Sequence, residues 1–81
     1  MTVLKGRVVQ GGSPVEGAYV RLIGPAGEFV NEQRTLEEGT FIFHLAPGAW
    51  TLDWTAPGRA GAQQTVELTA GQIADLDLEI S

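Results

Sequence analysis

The 81-residue sequence contains no cysteine and a single histidine, His44. The absence of cysteine excludes a disulfide framework, a thiolate metal site and a cysteine nucleophile. One histidine cannot supply the several imidazole ligands of a multi-histidine metal site. We therefore expect no thiol chemistry and no multi-histidine metal site, and no metal or cofactor is expected.

Positive charge and long hydrophobic runs are also scarce. Ten acidic residues stand against five basic ones, which gives a formal net charge of −5. Because few cations are available to neutralise phosphates, we expect no binding to nucleic acid or to an anionic membrane. The apolar stretches are too short to span a bilayer, and the N-terminus lacks the pattern of a signal peptide. We therefore expect a cytoplasmic protein.

What the sequence does contain is a repeated alternation of apolar and polar residues. In the run from Trp50 to Thr55, one face carries Trp50, Leu52 and Trp54, whereas the other is polar. Glycine- and proline-rich turns separate this run from others like it. Seven such short strands predict an all-β sandwich. The runs cover residues 4–9, 18–23, 28–36, 41–45, 50–55, 63–68 and 74–80, of which the polar run 28–36 is expected at a sheet edge.

The inward faces of these strands predict the core. Pro47-Gly48 predicts a tight hairpin that joins the run ending at Leu45 to the run starting at Trp50. The indole N–H groups of the two tryptophans would need hydrogen-bond partners or a position at the wet rim of the core. The expected core residues are Val8, Val20, Leu22, Phe41, Phe43, Trp50, Leu52, Trp54, Leu76 and Leu78.

Two stretches resemble carboxypeptidase regulatory-like domains. They are Gly6-Arg7-Val8 with the segment 11–22, and the segment 39–52. The resemblance implies a transthyretin-like (prealbumin-like) sandwich, seven-stranded with Greek-key topology, formed by a single domain over residues 1–81.

A narrower resemblance is carried by residues 28–30, 39–43 and 47–52. These segments are similar to a small actinobacterial family of unknown function that is often encoded beside a rhodanese-type thiosulfate sulfurtransferase. The resemblance implies a link to sulfur metabolism. Members of that family usually carry a leader with a cysteine, and since this sequence has no cysteine, a thiol-based role is not expected.

His44 is the one candidate for acid–base chemistry. If the runs 41–45 and 50–55 pair as a hairpin, His44 could approach Asp53 and form a base with an orienting carboxylate. The alternative is a solvent-facing histidine in a cross-strand pair. No nucleophile accompanies His44, so we favour the alternative.

Charged residues at the two ends of the chain raise two further possibilities. Lys5 with Asp75 or Asp77 could form an isopeptide bond, and Asp75, Asp77 and Glu79 could bind calcium. The alternation places all four side chains outward, whereas isopeptide chemistry needs burial and calcium needs a cage rather than a row. We therefore expect a solvated strand face that discourages edge pairing.

An outward apolar set provides the candidate interaction patch. Tyr19, Ile23 and Ile42, with His44 beside them, occupy positions where a sandwich usually carries polar side chains. If their strands are neighbours, they form a surface for a protein partner or for a second copy in a homodimer. The alternative is that Phe29 folds over them.

The leading hypothesis is therefore a non-catalytic protein-interaction or accessory domain. The alternative is a carbohydrate-binding module, because starch-binding-like domains share this kind of sandwich. Carbohydrate binding would require exposed aromatic side chains, yet Trp50 and Trp54 are expected in the core, which leaves Tyr19 as the outward candidate.

Overall fold

The computed structural model describes residues 2–80, in which the alternating runs form eight β-strands and no helix. The expected all-β class is confirmed. The strand beyond the expected seven is a two-residue strand that pairs with the end of the first strand after a Gly11-Gly12 turn. Met1 and Ser81, which belong to the expected 1–81 domain, lie outside the described residues. The strands are β1 (Thr2–Gln10), β2 (Ser13–Pro14), β3 (Tyr19–Ile23), β4 (Phe29–Arg34), β5 (Thr40–Leu45), β6 (Gly48–Thr55), β7 (Ala62–Leu68) and β8 (Ile73–Glu79).

The strands form two sheets that pack face to face. In the β1 sheet, β1 pairs with β5 in antiparallel and with β8 in parallel orientation, and β2 pairs with the last two residues of β1. The β3 sheet is antiparallel, with the order β4-β3-β6-β7. The polar run 28–36 therefore contributes an edge strand, β4, as its composition predicts.

The expected hairpin at Pro47-Gly48 is wrong. β5 belongs to the β1 sheet and β6 to the β3 sheet, so the chain crosses between the sheets at this point. The indole N–H of Trp50 donates to the Ala46 carbonyl oxygen at 2.9 Å and braces the crossing. A proline followed by glycine indicates that the chain turns, but it does not indicate which sheet the next strand joins.

The core lies between the two sheets and contains most of the expected residues. Trp54 is 4% exposed, and its indole N–H donates to the Glu79 carbonyl oxygen at 2.9 Å, which ties the β3 sheet to β8. Trp50 and Leu76 are half-buried and pack against the core rather than within it. Both indoles have the acceptors that burial requires. The expected residues that are buried are Val8, Val20, Leu22, Phe41, Phe43, Leu52, Trp54 and Leu78.

Two glycines allow the strands of the β1 sheet to approach closely. A Cβ atom at Gly6 would lie 1.9 Å from the Leu76 carbonyl oxygen. Gly39, with φ +70°, precedes β5, and a Cβ atom there would lie 2.8 Å from the Val8 carbonyl oxygen. Any larger residue at either position would push the backbones of the sheet apart.

Candidate functional site

The outer face of the β1 sheet holds a groove of about 520 Å³. Its floor follows from the strand register. Lys5 on β1 lies opposite Ile42 on β5 and opposite Asp75 on β8. Arg7 lies two residues further along β1, on the same face of the strand. These side chains point away from the core because their neighbours in the alternation point into it.

The far wall of the groove comes from the other sheet. The Gln33 side chain at the end of β4 bonds to the backbone of Ile42: the Ile42 N–H donates to Oε1 at 2.9 Å, and the Gln33 amide donates to the Ile42 carbonyl oxygen. One amide thus takes the place of a neighbouring strand along the edge of β5. Arg34 and Leu36, which flank Thr35 in the sequence, also line the groove.

Thr35 fixes this wall from beneath. Its side chain is buried, and its hydroxyl accepts from the Ala18 N–H at 2.9 Å while donating to the Val15 carbonyl oxygen at 2.7 Å. The Thr35 N–H also donates to the Ala18 carbonyl oxygen at 2.8 Å. Because its polar groups are satisfied by backbone partners, Thr35 anchors the segment that presents Arg34 and Leu36.

We use "the groove" for the site lined by Lys5, Arg7, Arg34, Leu36, Ile42 and Asp75.

The groove collects cations from a chain that is acidic overall. Lys5, Arg7 and Arg34 are three of the five basic residues of the sequence. Arg7 approaches Asp77, with 3.7 Å between Nε and Oδ1. Within residues 2–80, neither Lys5 nor Arg34 takes part in an ion pair. The groove therefore offers two cationic groups to an anionic ligand.

Apolar side chains are exposed beside these cations. Leu36 is 72% exposed and Ile42 is 43% exposed, and both line the groove. Exposed aliphatic side chains around a concave surface are typical of a binding site. The arrangement suits a ligand that carries both an apolar group and a negative charge.

The predicted patch is divided between the two sheets. Ile42 and His44 lie on β5, on the outer face of the β1 sheet, whereas Tyr19 and Ile23 lie on β3, on the outer face of the β3 sheet. Phe29 lies opposite Ile23 and is 61% exposed, whereas Ile23 itself is half-buried. Of the four predicted residues, Ile42 lines the groove.

The acid–base pair considered for His44 does not form. His44 and Asp53 belong to strands of different sheets and point outward on opposite sides of the sandwich. The hypothesis depended on a β5–β6 hairpin, and it fails with that hairpin. Among residues 2–80, no group of three histidine or acidic side chains is placed to hold a metal ion.

The acidic residues of β8 form a row along the sheet edge. Asp75 lies opposite Lys5 and Asp77 opposite Arg7, and all these side chains are exposed. Isopeptide formation would need Lys5 and a carboxylate buried together, which this placement does not provide. Charged side chains along an edge strand do oppose pairing with another sheet.

Sequence reasoning missed the residues that build the groove wall. Gln33, Arg34 and Leu36 come from the polar run 28–36, which predicts a plain edge strand. One signal was present: Leu36 is an aliphatic residue in a polar segment. The contact between Gln33 and Ile42 joins strands of different sheets, and no periodicity indicates it.

The described part of the chain contains no helix long and apolar enough to cross a membrane.

Two uncharacterized proteins of Mycobacterium tuberculosis H37Rv are each 40% identical to this chain over 82 residues, which covers 99% of this chain and 80% of theirs. An uncharacterized protein of Mycolicibacterium smegmatis is 38% identical over 81 residues, with 99% of this chain and 89% of that protein covered.

A solved structure shares the fold. The crystal structure of a DUF3823 family protein from Parabacteroides merdae superposes with a TM-score of 0.78 at 20% sequence identity. The superposition covers 99% of this chain and 45% of that one, so this chain spans less than half of that protein's length. At this level of identity the similarity extends to the fold alone. A protein-family model matches residues 1–80, and the chain belongs to the family described as "Protein of unknown function (DUF1416)".

Proposed function

We propose that this chain is a non-catalytic protein-interaction domain that binds its partner through the groove. The observation that carries the proposal is the exposure of Leu36 and Ile42 beside Lys5 and Arg34, which are free of ion pairs within residues 2–80. Apolar side chains next to cations on a concave surface can bury area and set the orientation of a partner.

The proposal includes an accessory role in the cytoplasm. The resemblance to carboxypeptidase regulatory-like domains, with their transthyretin-like sandwich, supports such a role. The resemblance to proteins encoded beside a thiosulfate sulfurtransferase identifies that enzyme, and sulfur metabolism with it, as the first partner to test.

The test uses a photo-crosslinking amino acid at Ile42, with Val30 as the matched control. The two side chains are 43% and 45% exposed, but Val30 lies on β4 in the other sheet. We expect the purified sulfurtransferase, or a second copy of the chain, to be captured at position 42 and not at position 30. Equal capture at both positions, or none at either, contradicts the proposal.

Carbohydrate binding is the alternative, and one observation favours it. Tyr19 and Phe29 lie on the outer face of the β3 sheet, 39% and 61% exposed, where sugar rings could stack on them. Trp54 is buried and Trp50 is half-buried against the core, which leaves Tyr19 and Phe29 as the more exposed rings. If starch oligosaccharides bind and Tyr19→Ala abolishes that binding while Ile42→Ser does not, the alternative replaces our proposal.

A further inference from the structure

The turn at the rim of the groove presents an apolar side chain and negative charges, the two kinds of group that the groove would bind. Residues 36–39 form a tight turn in which the Gly39 N–H donates to the Leu36 carbonyl oxygen at 2.9 Å. Leu36 is 72% exposed, and Glu37 and Glu38 at the tip are exposed as well. This acidic turn (residues 36–39) thus presents an aliphatic side chain followed by two carboxylates.

The acidic turn and the groove are complementary, but not within one copy. Lys5 and Arg34 of the groove form no ion pair within residues 2–80, and neither do Glu37 and Glu38. The tip of the turn does not line the groove beside it. The cations and the carboxylates therefore remain available to a neighbouring molecule.

We propose that the groove takes the acidic turn of a second copy of this chain. The inference rests on the proposed function, because it names the partner of the same site. Glu37 and Glu38 of one copy would meet Lys5 and Arg34 of the other, and Leu36 would pack against Ile42. Opposite charges facing each other fix the orientation of such a contact.

Two-fold symmetry makes the contact reciprocal. Since Leu36 both lines the groove and begins the turn, the groove and the turn adjoin on one surface, and a two-fold axis between them would place each turn in the other copy's groove. Such an interface uses the same patch on both copies and closes without free binding surfaces. Each favourable contact is then made twice.

The remaining charges at the site limit the strength of the dimer. Asp75 lies in the groove beside Lys5, and Asp77 is paired with Arg7, so both carboxylates oppose an acidic turn at the β8 side. They direct the turn toward Arg34 at the opposite wall. Because the attractive contacts join exposed charges and these carboxylates oppose them, the dimer should be weak and sensitive to salt.

Sedimentation equilibrium of the whole chain tests this inference with two charge-reversal variants. The first, Lys5→Glu with Arg34→Glu, reverses the groove, and the second, Glu37→Lys with Glu38→Arg, reverses the turn. Arg21→Glu with Arg59→Glu is the control that matches the first variant in net charge, since neither arginine lines the groove. Circular dichroism verifies that each variant is folded.

We expect the wild-type chain and the control to dimerise at low salt as protein concentration rises from micromolar to near-millimolar. Each reversal variant alone should dimerise roughly tenfold or more weakly, because attraction becomes repulsion. Mixing the two variants in equal amounts should restore a heterodimer, since the reversed charges again match.

A wild-type chain that stays monomeric over this range overturns the inference, and so do reversal variants that dimerise as the wild type does. A mixture that fails to restore the dimer overturns it too. If the chain stays monomeric while the sulfurtransferase is still captured at position 42, the second-copy inference fails and the proposed function stands. If neither occurs, both fail.

Discussion

The outer faces of the two sheets differ, although both arise from the same alternation of residues. On the β3 sheet two pairs of outward side chains meet, although Tyr19 and Phe29 stay exposed there: Arg21 Nε lies 3.0 Å from Glu32 Oε2, and the Thr51 and Thr65 hydroxyls are 3.3 Å apart. On the β1 sheet, Lys5 has no such ion-pair partner within residues 2–80 and Ile42 is exposed. Both faces expose apolar side chains, and the charged side chains of the β1 face are paired less closely than those of the β3 face, which favours the β1 face for an anionic ligand.

The difference between the faces originates at the junction of β4 with β5. There the Gln33 amide closes the β5 edge, and Thr35 anchors the segment that places Arg34 and Leu36 at the groove. Substitutions at this junction should therefore change the β1 face and leave the β3 face as it is.

The largest effect is expected for Thr35→Val. Valine fits the volume but leaves the buried Ala18 N–H and Val15 carbonyl oxygen without their side-chain partner. Each unsatisfied buried group costs about 1–3 kcal/mol, so we expect a loss of about 2–5 kcal/mol in the free energy of unfolding. Urea denaturation measures the loss.

Thr35→Ser is the matched control, because serine keeps the hydroxyl and removes a methyl group. It should cost about 1 kcal/mol, the value for one buried methyl or methylene group. If valine were tolerated better than serine, packing rather than hydrogen bonding would hold the wall, and the role given to Thr35 would be wrong.

A smaller effect is expected for Gln33→Ala. The substitution removes two hydrogen bonds to the Ile42 backbone at a half-buried position, and each contributes about 0.5–1.5 kcal/mol. We expect a loss of about 1–2 kcal/mol and faster hydrogen exchange of the Ile42 amide, because the edge of β5 becomes open to water.

Gln63→Ala provides the comparison on the β3 sheet. Gln63 is an exposed glutamine on the edge strand β7, opposite Asp53 of β6. Its removal should leave both the stability and the exchange of the Ile42 amide unchanged. Equal effects of the two substitutions would show that Gln33 is an ordinary surface residue and that the junction does not depend on it.

The alternation of side chains was sufficient to predict the sandwich, the edge strand β4 and most of the core. Leu52 and Trp54 are buried because their strand alternates, and this pattern is local. Trp50 shares their face but is only half-buried, since it lies where the chain crosses between the sheets. Its position depends on the path of the chain, and alternation within one strand carries no information on that path.

The groove could not be predicted for the same reason. The sequence places Lys5 and Ile42 outward, but it does not show that Arg34 and Leu36 reach them from the other sheet. The predicted patch of Tyr19, Ile23, Ile42 and His44 required β3 and β5 to be neighbours, and they belong to different sheets. Which strands share a sheet depends on long-range pairing, and local alternation carries no information on that pairing.

The smallest expected effect compares the ion pairs on the two faces. Arg21 and Glu32 lie directly opposite each other on neighbouring strands, with Nε and Oε2 only 3.0 Å apart, whereas Arg7 and Asp77 are 3.7 Å apart. Both pairs are exposed, so solvent screening limits the coupling energy to about 0.2–1 kcal/mol for Arg21–Glu32 and to less for Arg7–Asp77.

Double-mutant cycles with alanine, followed by urea denaturation, measure both couplings. The Arg21–Glu32 coupling should shrink in about 1 M salt, where the Debye length is about 3 Å. A looser Arg7–Asp77 pair leaves the Arg7 guanidinium free to turn toward a ligand, which is what a binding face requires. If the Arg7–Asp77 coupling instead equals or exceeds that of Arg21–Glu32, Arg7 is committed to its own sheet, and the cationic character of the groove falls to Lys5 and Arg34 alone.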